Sequence, residues 1–201
     1  MTTTFKLHNK HIILPVADPQ KAERFFPGSK AVQTKAGSYI CAIPHTFDAT
    51  MLLRNKGLDI PSPIVTSYNW PGRYTPYEHQ VDTASFMTLN PRCFCLNGMG
   101  TMKTTSSIWA ADFLMQEGLV KRCLIAAPLS TLDQVWAEEL FFSVPRRSAV
   151  ILHGSRQRRR ELLQQEHDFY IINHDGVKVL ADELTGRSDI DTVVLDELSQ
   201  C

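Results

Sequence analysis

The sequence has no excess of either charge and no long hydrophobic run. Its 201 residues contain 21 Lys and Arg against 21 Asp and Glu, a formal net charge of +0 at pH 7. Because such a chain does not bind nucleic acid through bulk positive charge, any such binding must come from a local patch. The apolar run at 11–16 is too short for a signal-peptide core or a membrane span. We therefore expect a protein that is neither exported nor inserted into a membrane.

Paired cysteines are also missing. The five cysteines are Cys41, Cys93, Cys95, Cys123 and Cys201. Their number is odd, they show no paired metal-ligand spacing, and they stand mostly in apolar runs, which favours reduced thiols in a core over disulfides. This indicates a cytoplasmic location. With 43% hydrophobic and 21% charged residues, the composition is that of a globular protein and disfavours disorder.

The first 60 residues alternate between short apolar and polar pieces. They predict strands near 12–16 and 38–43, a short helix after Asp18, and a helix that is capped by Thr46 and ends at Gly57. We expect a small α+β accessory region here, without an assigned function. Residues 61–76 contain four prolines among three aromatic residues. This texture predicts an extended connector and a domain boundary.

From residue 77 onward, strand-length apolar runs alternate with segments of helical period. The runs lie at 93–96, 123–127, 149–152, 169–172 and 192–195. Between them, stripes such as Leu132, Val135, Trp136 and Leu140 lie on one face of a helix. Continuous rather than alternating hydrophobicity in the strands predicts an α/β domain over 77–201, with a parallel sheet covered by helices.

A glycine loop follows the first of these runs. Residues 97–104 read Asn-Gly-Met-Gly-Thr-Met-Lys-Thr and lead into a helical stretch over 105–117. A strand, a glycine loop and a helix N-terminus can hold a polyphosphate, with Lys103 on the outer phosphates and Thr104 on Mg²⁺. The alternative is a glycine-rich turn with a solvated lysine. Met102 stands where such loops carry glycine, so its side chain should crowd the phosphates and weaken nucleotide binding.

Two acids follow the last apolar run. A nucleotide site needs one carboxylate for the metal and another to orient the attacking water, both at the end of a buried strand. Asp196 and Glu197 fit these two roles. Alone they are equally compatible with a solvated strand end, but the upstream glycine loop favours the site.

Together these motifs resemble the first RecA-like domain of a superfamily 2 helicase or translocase, in the Swi/Snf-like branch of the DEAD/DEAH-type enzymes and particularly its bacteriophage-encoded members. The resemblance covers 61–201 and implies ATP and Mg²⁺ as cofactors. It places Gln80 at the adenine edge and Tyr74 against the base. The residues that it places at the nucleotide are Gln80, Tyr74, Gly98, Gly100, Thr101, Met102, Lys103, Thr104 and Thr105. It puts Thr104 and Asp196 on the metal. Catalytic roles fall to Glu197, Asp196 and Lys103.

The same resemblance implies nucleic-acid contacts. Ser130 and Thr131 match motif Ia, which in the family lies against the nucleic-acid backbone, and residues 170–174 fall at motif Ib. Either hydroxyl can instead be a helix N-cap, with Gln134 completing a capping box after Thr131. Trp136 falls on the apolar stripe, which favours core packing. Ser199 stands where many relatives have a histidine that couples nucleotide to nucleic acid.

An arginine cluster stands out within the neutral total. Its members are Arg146, Arg147, Arg156, Arg158, Arg159 and Arg160, with no acid between the first and the last. A solvated face is the ordinary interpretation. The functional one is a patch that tracks phosphates, for which we single out Arg156, Arg158 and Arg159.

These features predict an ATP-binding, helicase-like domain of a DNA-dependent ATPase, with DNA favoured over RNA. The sequence stops before motif III, so we expect a truncated chain without the second RecA-like lobe, and whether it is itself an enzyme stays open. The alternative is a non-catalytic remnant that binds nucleic acid or a partner with an idle nucleotide site. We expect a cytoplasmic protein, in the bacterial host if it is phage-encoded.

Overall fold

The computed structural model describes residues 4–98 and 100–197. It divides into two compact units, Met1–Tyr68 and Asn69–Cys201, and the division falls inside the predicted connector at 61–76. Met99, Ser199 and Cys201 lie outside the described residues. Within the described part of the chain, no helix is long and apolar enough to cross a membrane.

The first unit is built on a four-stranded antiparallel sheet. Its elements are β1 (Lys6–His8), β2 (His11–Val16), α1 (Pro19–Phe25), β3 (Lys30–Gln33), β4 (Tyr39–Pro44), α2 (Phe47–Arg54) and α3 (Ile64–Ser67). The strand order is β1-β2-β4-β3. Asp18 caps α1, with its carboxylate accepting from the Lys21 N–H, and Thr46 caps α2, with its hydroxyl accepting from the Ala49 N–H. The cap at Thr46 is the one that the sequence predicts.

The core of this unit lies on one face of the sheet. Its centre is formed by Ile12, Leu14, Cys41, Ile43, Ala49, Leu53 and Ile60. Ala22 of α1 and Ala49 of α2 pack into or against this cluster, so both helices cover the same face.

The predicted connector is less extended than its prolines indicate. Residues 64–67 form a single helical turn, α3, so the expectation of a wholly irregular segment is wrong. Pro63 precedes this turn, where a missing N–H costs nothing because the first helical N–H groups have no partner anyway. The Pro63 carbonyl accepts from the Ser67 hydroxyl at 2.7 Å, which closes the turn.

The second unit is an α/β domain. Its elements are α4 (Glu78–Leu89), α5 (Lys103–Gln116), β5 (Arg122–Ala127), a 3₁₀ turn (Leu129–Thr131), a π-helical segment (Leu132–Ala137), α6 (Glu138–Ser143), β6 (Ala149–Ile151), α7 (Arg156–Leu163), β7 (Phe169–Asn173), α8 (His174–Val179), α9 (Ala181–Thr185) and β8 (Ile190–Leu195). The four strands are parallel, in the order β6-β7-β5-β8. The predicted parallel sheet with flanking helices is confirmed, and four of the five predicted strands are present.

The remaining prediction, a strand at 93–96, is wrong. These residues have no regular secondary structure, and the side chains of Phe94 and Leu96 are 72% and 90% exposed. A strand needs a neighbouring strand to pair its backbone groups, and none of the described strands pairs with this segment. Cys93 is therefore exposed rather than in the core. Cys41 and Cys123 are buried as expected, and burial raises the pKa of the Cys123 thiol to about 12.

The second half of the connector packs onto this domain. Gly72 has φ 97°, and a Cβ there would overlap the backbone carbonyls of Phe142 and Ser143 at the end of α6. The Arg73 N–H donates to the Phe142 carbonyl at 2.8 Å. Trp70 makes an edge-to-face contact with the buried Trp109 of α5, with ring centroids 5.3 Å apart. Only glycine allows so close an approach between these two backbone segments.

Candidate functional site

The glycine loop lies between α4 and α5 and bends through left-handed backbone conformations. Gly100 has φ 74°, and Met102 has φ 54° and ψ 45° immediately before the first residue of α5. Non-glycine residues adopt this region at a cost, so Met102 occupies a conformation that suits glycine. Apart from chain neighbours, no described residue has an atom within 4 Å of where a Cβ on Gly98 or Gly100 would stand. The other described residues therefore leave space beside these two glycines.

Lys103 folds back over this loop. Its Nζ donates to the carbonyl oxygens of Asn97 at 2.8 Å and Gly98 at 2.9 Å. The Thr101 hydroxyl donates to the same Gly98 oxygen at 2.9 Å. Both acceptors of Lys103 are neutral, so the loop holds the ammonium group in place without cancelling its charge.

The N-terminus of α5 has neither a side-chain cap nor an acidic residue beside its free N–H groups. Met102 provides no side-chain cap, and there is no acid in the first turn of this 14-residue helix. The first N–H groups of a helix and its dipole together form a positive end that acids or anions stabilise. Lys103 adds a full positive charge at the same end. The arrangement has the electrostatics of an anion site.

A cleft of about 460 Å³ lies between this loop and α4. Its walls are His79, Asp82 and Thr83 on the helix and Asn97, Gly98 and Thr101 on the loop. The Asn97 amide donates to the Thr83 hydroxyl at 2.8 Å, which ties the loop to the helix. The loop and α4 are thus brought together.

Gln80 lies near the beginning of α4 with its side chain buried. Its Oε1 accepts from the Tyr77 N–H at 2.9 Å, which helps to close the first turn. Its Nε2 is buried and makes no hydrogen bond to any described residue. A buried amide nitrogen without an acceptor is costly unless something else supplies one. Tyr74 is half-buried, and the Arg73 guanidinium lies 5.9 Å from its ring centroid.

Asp196 follows the last residue of β8, at the carboxyl end of the sheet. Its N–H donates to the Ala126 carbonyl at 2.9 Å, which extends the pairing with β5 by one residue. Its Oδ2 accepts from the indole Nε1 of Trp136 at 3.1 Å. Glu197 comes next, exposed and with φ 52°. The two acids stand at the strand end where the sequence places them.

Sequence reasoning missed the part played by residues 132–143. Trp136 is buried as predicted, but it also donates to Asp196, 60 residues away along the chain. Glu139 accepts from the Thr105 hydroxyl at 2.6 Å and from the Ser143 hydroxyl at 2.8 Å. Thr105, predicted at the nucleotide, thus directs its hydroxyl to α6. The one available signal was that a buried indole N–H needs an acceptor.

The two oxygen donors proposed for Mg²⁺, Thr104 and Asp196, would need water and phosphate oxygens to complete its coordination. Thr104 is the second residue of α5 and half-buried, and Asp196 supplies a carboxylate. Among the described residues, no group of three or more His, Cys, Asp or Glu side chains is arranged to hold a metal ion. Mg²⁺ prefers one or two protein oxygens completed by water and substrate phosphates, which agrees with this sparse donor set.

The motif Ia hydroxyls do not cap a helix. Thr131 donates its hydroxyl to the Pro128 carbonyl at 3.0 Å, and the helical segment that begins at Leu132 has no side-chain cap. The alternative interpretation of these hydroxyls, a helix N-cap with Gln134 completing a capping box, is therefore wrong. The reason is the 3₁₀ turn at 129–131, which aims the hydroxyl backward along the chain. Ser130 is exposed and Thr131 is half-buried at the surface.

Arg147 has a structural role. Its guanidinium contacts Asp112 at 2.6 Å and Asp168 at 3.1 Å. Burial alone would lower the pKa of Arg147, but the hydrogen bonds and charges of these two carboxylates raise it above its ordinary value. This member of the arginine cluster therefore joins α5 to the β6–β7 side of the sheet.

The arginines on α7 also have partners within the protein. Arg156 and Arg160 both pair with Glu183, and Arg158 pairs with Glu161 at 3.5 Å. Arg159 donates to the Gly154 carbonyl and to the Asn173 side chain, each at 2.9 Å. Arg156 and Arg158 remain more than half exposed with long ion pairs, and such pairs contribute little to stability.

The fold of part of this chain also occurs in a solved structure. A search found the Sulfolobus solfataricus SWI2/SNF2 ATPase core in complex with dsDNA, with a TM-score of 0.55 and 21% sequence identity. The matched part of the chain shares its fold with this core. The match covers 64% of this chain but only 27% of that one. No protein-family model and no curated protein matches the sequence.

Proposed function

We propose that the second unit is an ATP-binding, helicase-like domain of a DNA-dependent ATPase. The observation that carries the proposal is the start of α5. An uncapped helix N-terminus, an open glycine loop and the Lys103 ammonium group converge there. A polyphosphate is the ligand that satisfies all three at once.

The nucleotide roles follow from this placement. In the proposed complex Lys103 exchanges its two loop carbonyls for the outer phosphates. Thr104 and Asp196 would hold Mg²⁺, which supplies charge neutralisation on the phosphates. Glu197 orients the attacking water. Loop residues 98 and 100–102 surround the phosphate chain.

Adenine recognition is proposed for Gln80 and Tyr74, which are not among the residues that line the cleft beside α4. The Nε2 of Gln80 has no acceptor among the described residues, and an adenine ring nitrogen would provide one. Tyr74 would stack on the base after its contact with Arg73 is rearranged. Thr105 contributes indirectly, because its bond to Glu139 fixes the first turn of α5.

DNA binding is proposed for Ser130 and Thr131 and for the arginines of α7. The similarity to a core solved with dsDNA supports this choice of partner. Arg156 and Arg158 can exchange their 3.5 Å ion pairs for phosphates at little cost. Trp136 then acts as a positioning residue, since it lies on the segment that follows motif Ia and holds the Asp196 carboxylate. Hydrolysis would further need a second RecA-like lobe.

A titration with a fluorescent ATP analogue and Mg²⁺ tests the nucleotide proposal. Lys103→Ala should weaken binding by about tenfold or more, because a hydrogen bond between charged groups contributes about 1.5–3 kcal/mol. Lys121→Ala removes an exposed lysine of the same unit and should leave binding unchanged. Equal affinities of the native protein and the Lys103→Ala variant would refute the proposed phosphate loop.

One observation favours a second candidate function, a non-catalytic module with an idle nucleotide site. Met102 places a long side chain in the loop, directly before Lys103, in a conformation suited to glycine. If this residue has abolished binding, the native protein should not bind the analogue. Recovery of binding in Met102→Gly would then identify a site disabled by one residue, whereas continued absence of binding would support the remnant.

A further inference from the structure

The first unit has an excess of positive charge, although the whole molecule is neutral. Residues 1–68 contain eight Lys and Arg but four Asp and Glu, which leaves thirteen and seventeen for the rest of the chain. The balanced total therefore hides a basic N-terminal unit and an acidic C-terminal one. Charge separated in this way indicates that the first unit is suited to an anionic partner.

None of the four acids of this unit lies on a strand of the sheet. Asp18 caps α1 and Glu23 of α1 accepts from the Ala31 N–H at 2.8 Å. Asp48 stands in the first turn of α2, and Asp59 pairs with Arg54 at 2.8 Å. Three of these acids thus belong to the two helices that cover the core face, or to their caps, and the fourth is neutralised by an arginine of α2.

The opposite face of the sheet, which we call the open face, has no acidic residue on any of its four strands. Residues directly opposite each other in a sheet share a face. The register aligns Lys6, Ile13, Ala42 and Lys30 in one row across the sheet. The next row holds Pro15, Ile40 and Val32, and His8 and His11 lie on the other side of the first row.

This face combines an apolar centre with basic edges. Val32 is 59% and Ile40 36% exposed, while Lys6 and Lys30 are exposed on the two outer strands. Three strand spacings separate the two lysines, about 14 Å. A single strand of nucleic acid presents both charged phosphates and apolar base faces to a protein, whereas a duplex turns its base faces inward. The pattern of the open face matches the single strand.

We propose that the open face of the N-terminal sheet binds single-stranded nucleic acid, with Lys6 and Lys30 on phosphates and Ile13, Val32 and Ile40 against bases and sugars. It uses none of the residues proposed for the nucleotide or for DNA binding by the second unit. It gives the first unit a function of its own, which is to hold an unpaired strand.

Fluorescence anisotropy of the full chain with labelled oligo(dT), in the absence of nucleotide, tests the proposal. The double variant Lys6→Ala/Lys30→Ala should bind more weakly than the native protein. Its plot of log affinity against log salt should be shallower by about 1.4, since each phosphate contact on a single strand contributes about 0.7 to the slope. Val32→Ser should also weaken binding without changing the slope.

The double variant Lys21→Ala/Lys56→Ala is the matched control, because it removes the same charge from α1 and from the turn after α2. Its affinity and salt slope should stay close to those of the native protein. The arginines of α7 are the same in all of these proteins, so binding through them does not alter the differences. Equal losses in both double variants, no binding of oligo(dT), or tighter binding of a duplex with the same dependence on Lys6 and Lys30 would overturn the proposal.

Discussion

Replacing Met102 with glycine should give a more stable protein than replacing it with alanine. With φ 54° and ψ 45°, this residue lies in the left-handed region, which costs an L-residue about 1–2 kcal/mol. Glycine avoids this cost but loses about 0.4–1 kcal/mol to the greater freedom of the unfolded chain. The balance favours Met102→Gly over Met102→Ala by about 1 kcal/mol. If α5 instead began before position 102, alanine would be favoured by about the same amount.

Urea unfolding of the two variants measures this difference. For a denaturant slope of about 2 kcal/mol/M, the midpoint of Met102→Gly should lie about 0.5 M above that of Met102→Ala. Because Met102 is 37% exposed, comparison with the native protein would also include lost side-chain packing. The comparison between the two variants removes most of that contribution. A higher midpoint for Met102→Ala would refute the left-handed geometry on which the loop argument depends.

The same structure makes three further predictions. Gly72→Ala should lower the free energy of unfolding by about 2 kcal/mol or more, about twice the effect of Gly118→Ala. Both glycines have positive φ, but only at position 72 would the Cβ overlap other backbone atoms. Equal urea midpoints for the two variants would contradict this. Burial would raise the pKa of Asp168, but the hydrogen bonds it accepts from Ser148 and Arg147 hold it below its ordinary value. The stabilisation that Asp168 provides is therefore present above the ordinary pKa and is lost as the pH falls through the lower folded value. Asp168→Asn should therefore make urea midpoints less dependent on pH in the acid range, and an unchanged acid dependence would count against it. Trp136→Phe should raise the Mg²⁺ concentration needed for half-maximal binding of an ATP analogue about tenfold, since it leaves Asp196 without its indole donor; the outcome against it is an unchanged Mg²⁺ requirement.

The parallel sheet was predictable because its signal is local. Residues 123–127 and 169–172 are continuous apolar runs, and in the structure they form the buried central strands β5 and β7. The run at 93–96 has the same local texture but lies exposed, without a partner strand. Whether an apolar run becomes a strand depends on a neighbour elsewhere in the chain, and a local pattern does not contain that information.

The candidate site was likewise only partly predictable from the sequence. The motifs and their order along the chain place Lys103 at the start of a helix and Asp196 at the end of a strand. The partners of Trp136 and Glu139 lie 60 and 34 residues away, so only the fold brings them together. The arginine cluster shows the same limit, since the acids that pair with Arg147 come from α5 and from the residue before β7.

Calorimetric titration of the native protein and of Met102→Gly with ATP and with AMP, both in Mg²⁺, tests the central claim most directly. If the N-terminus of α5 and Lys103 hold the outer phosphates, ATP should bind and AMP should not compete with it, and the glycine variant should bind ATP more tightly. Equal binding of ATP and AMP, or no binding of ATP by either protein, would contradict a phosphate site at this loop.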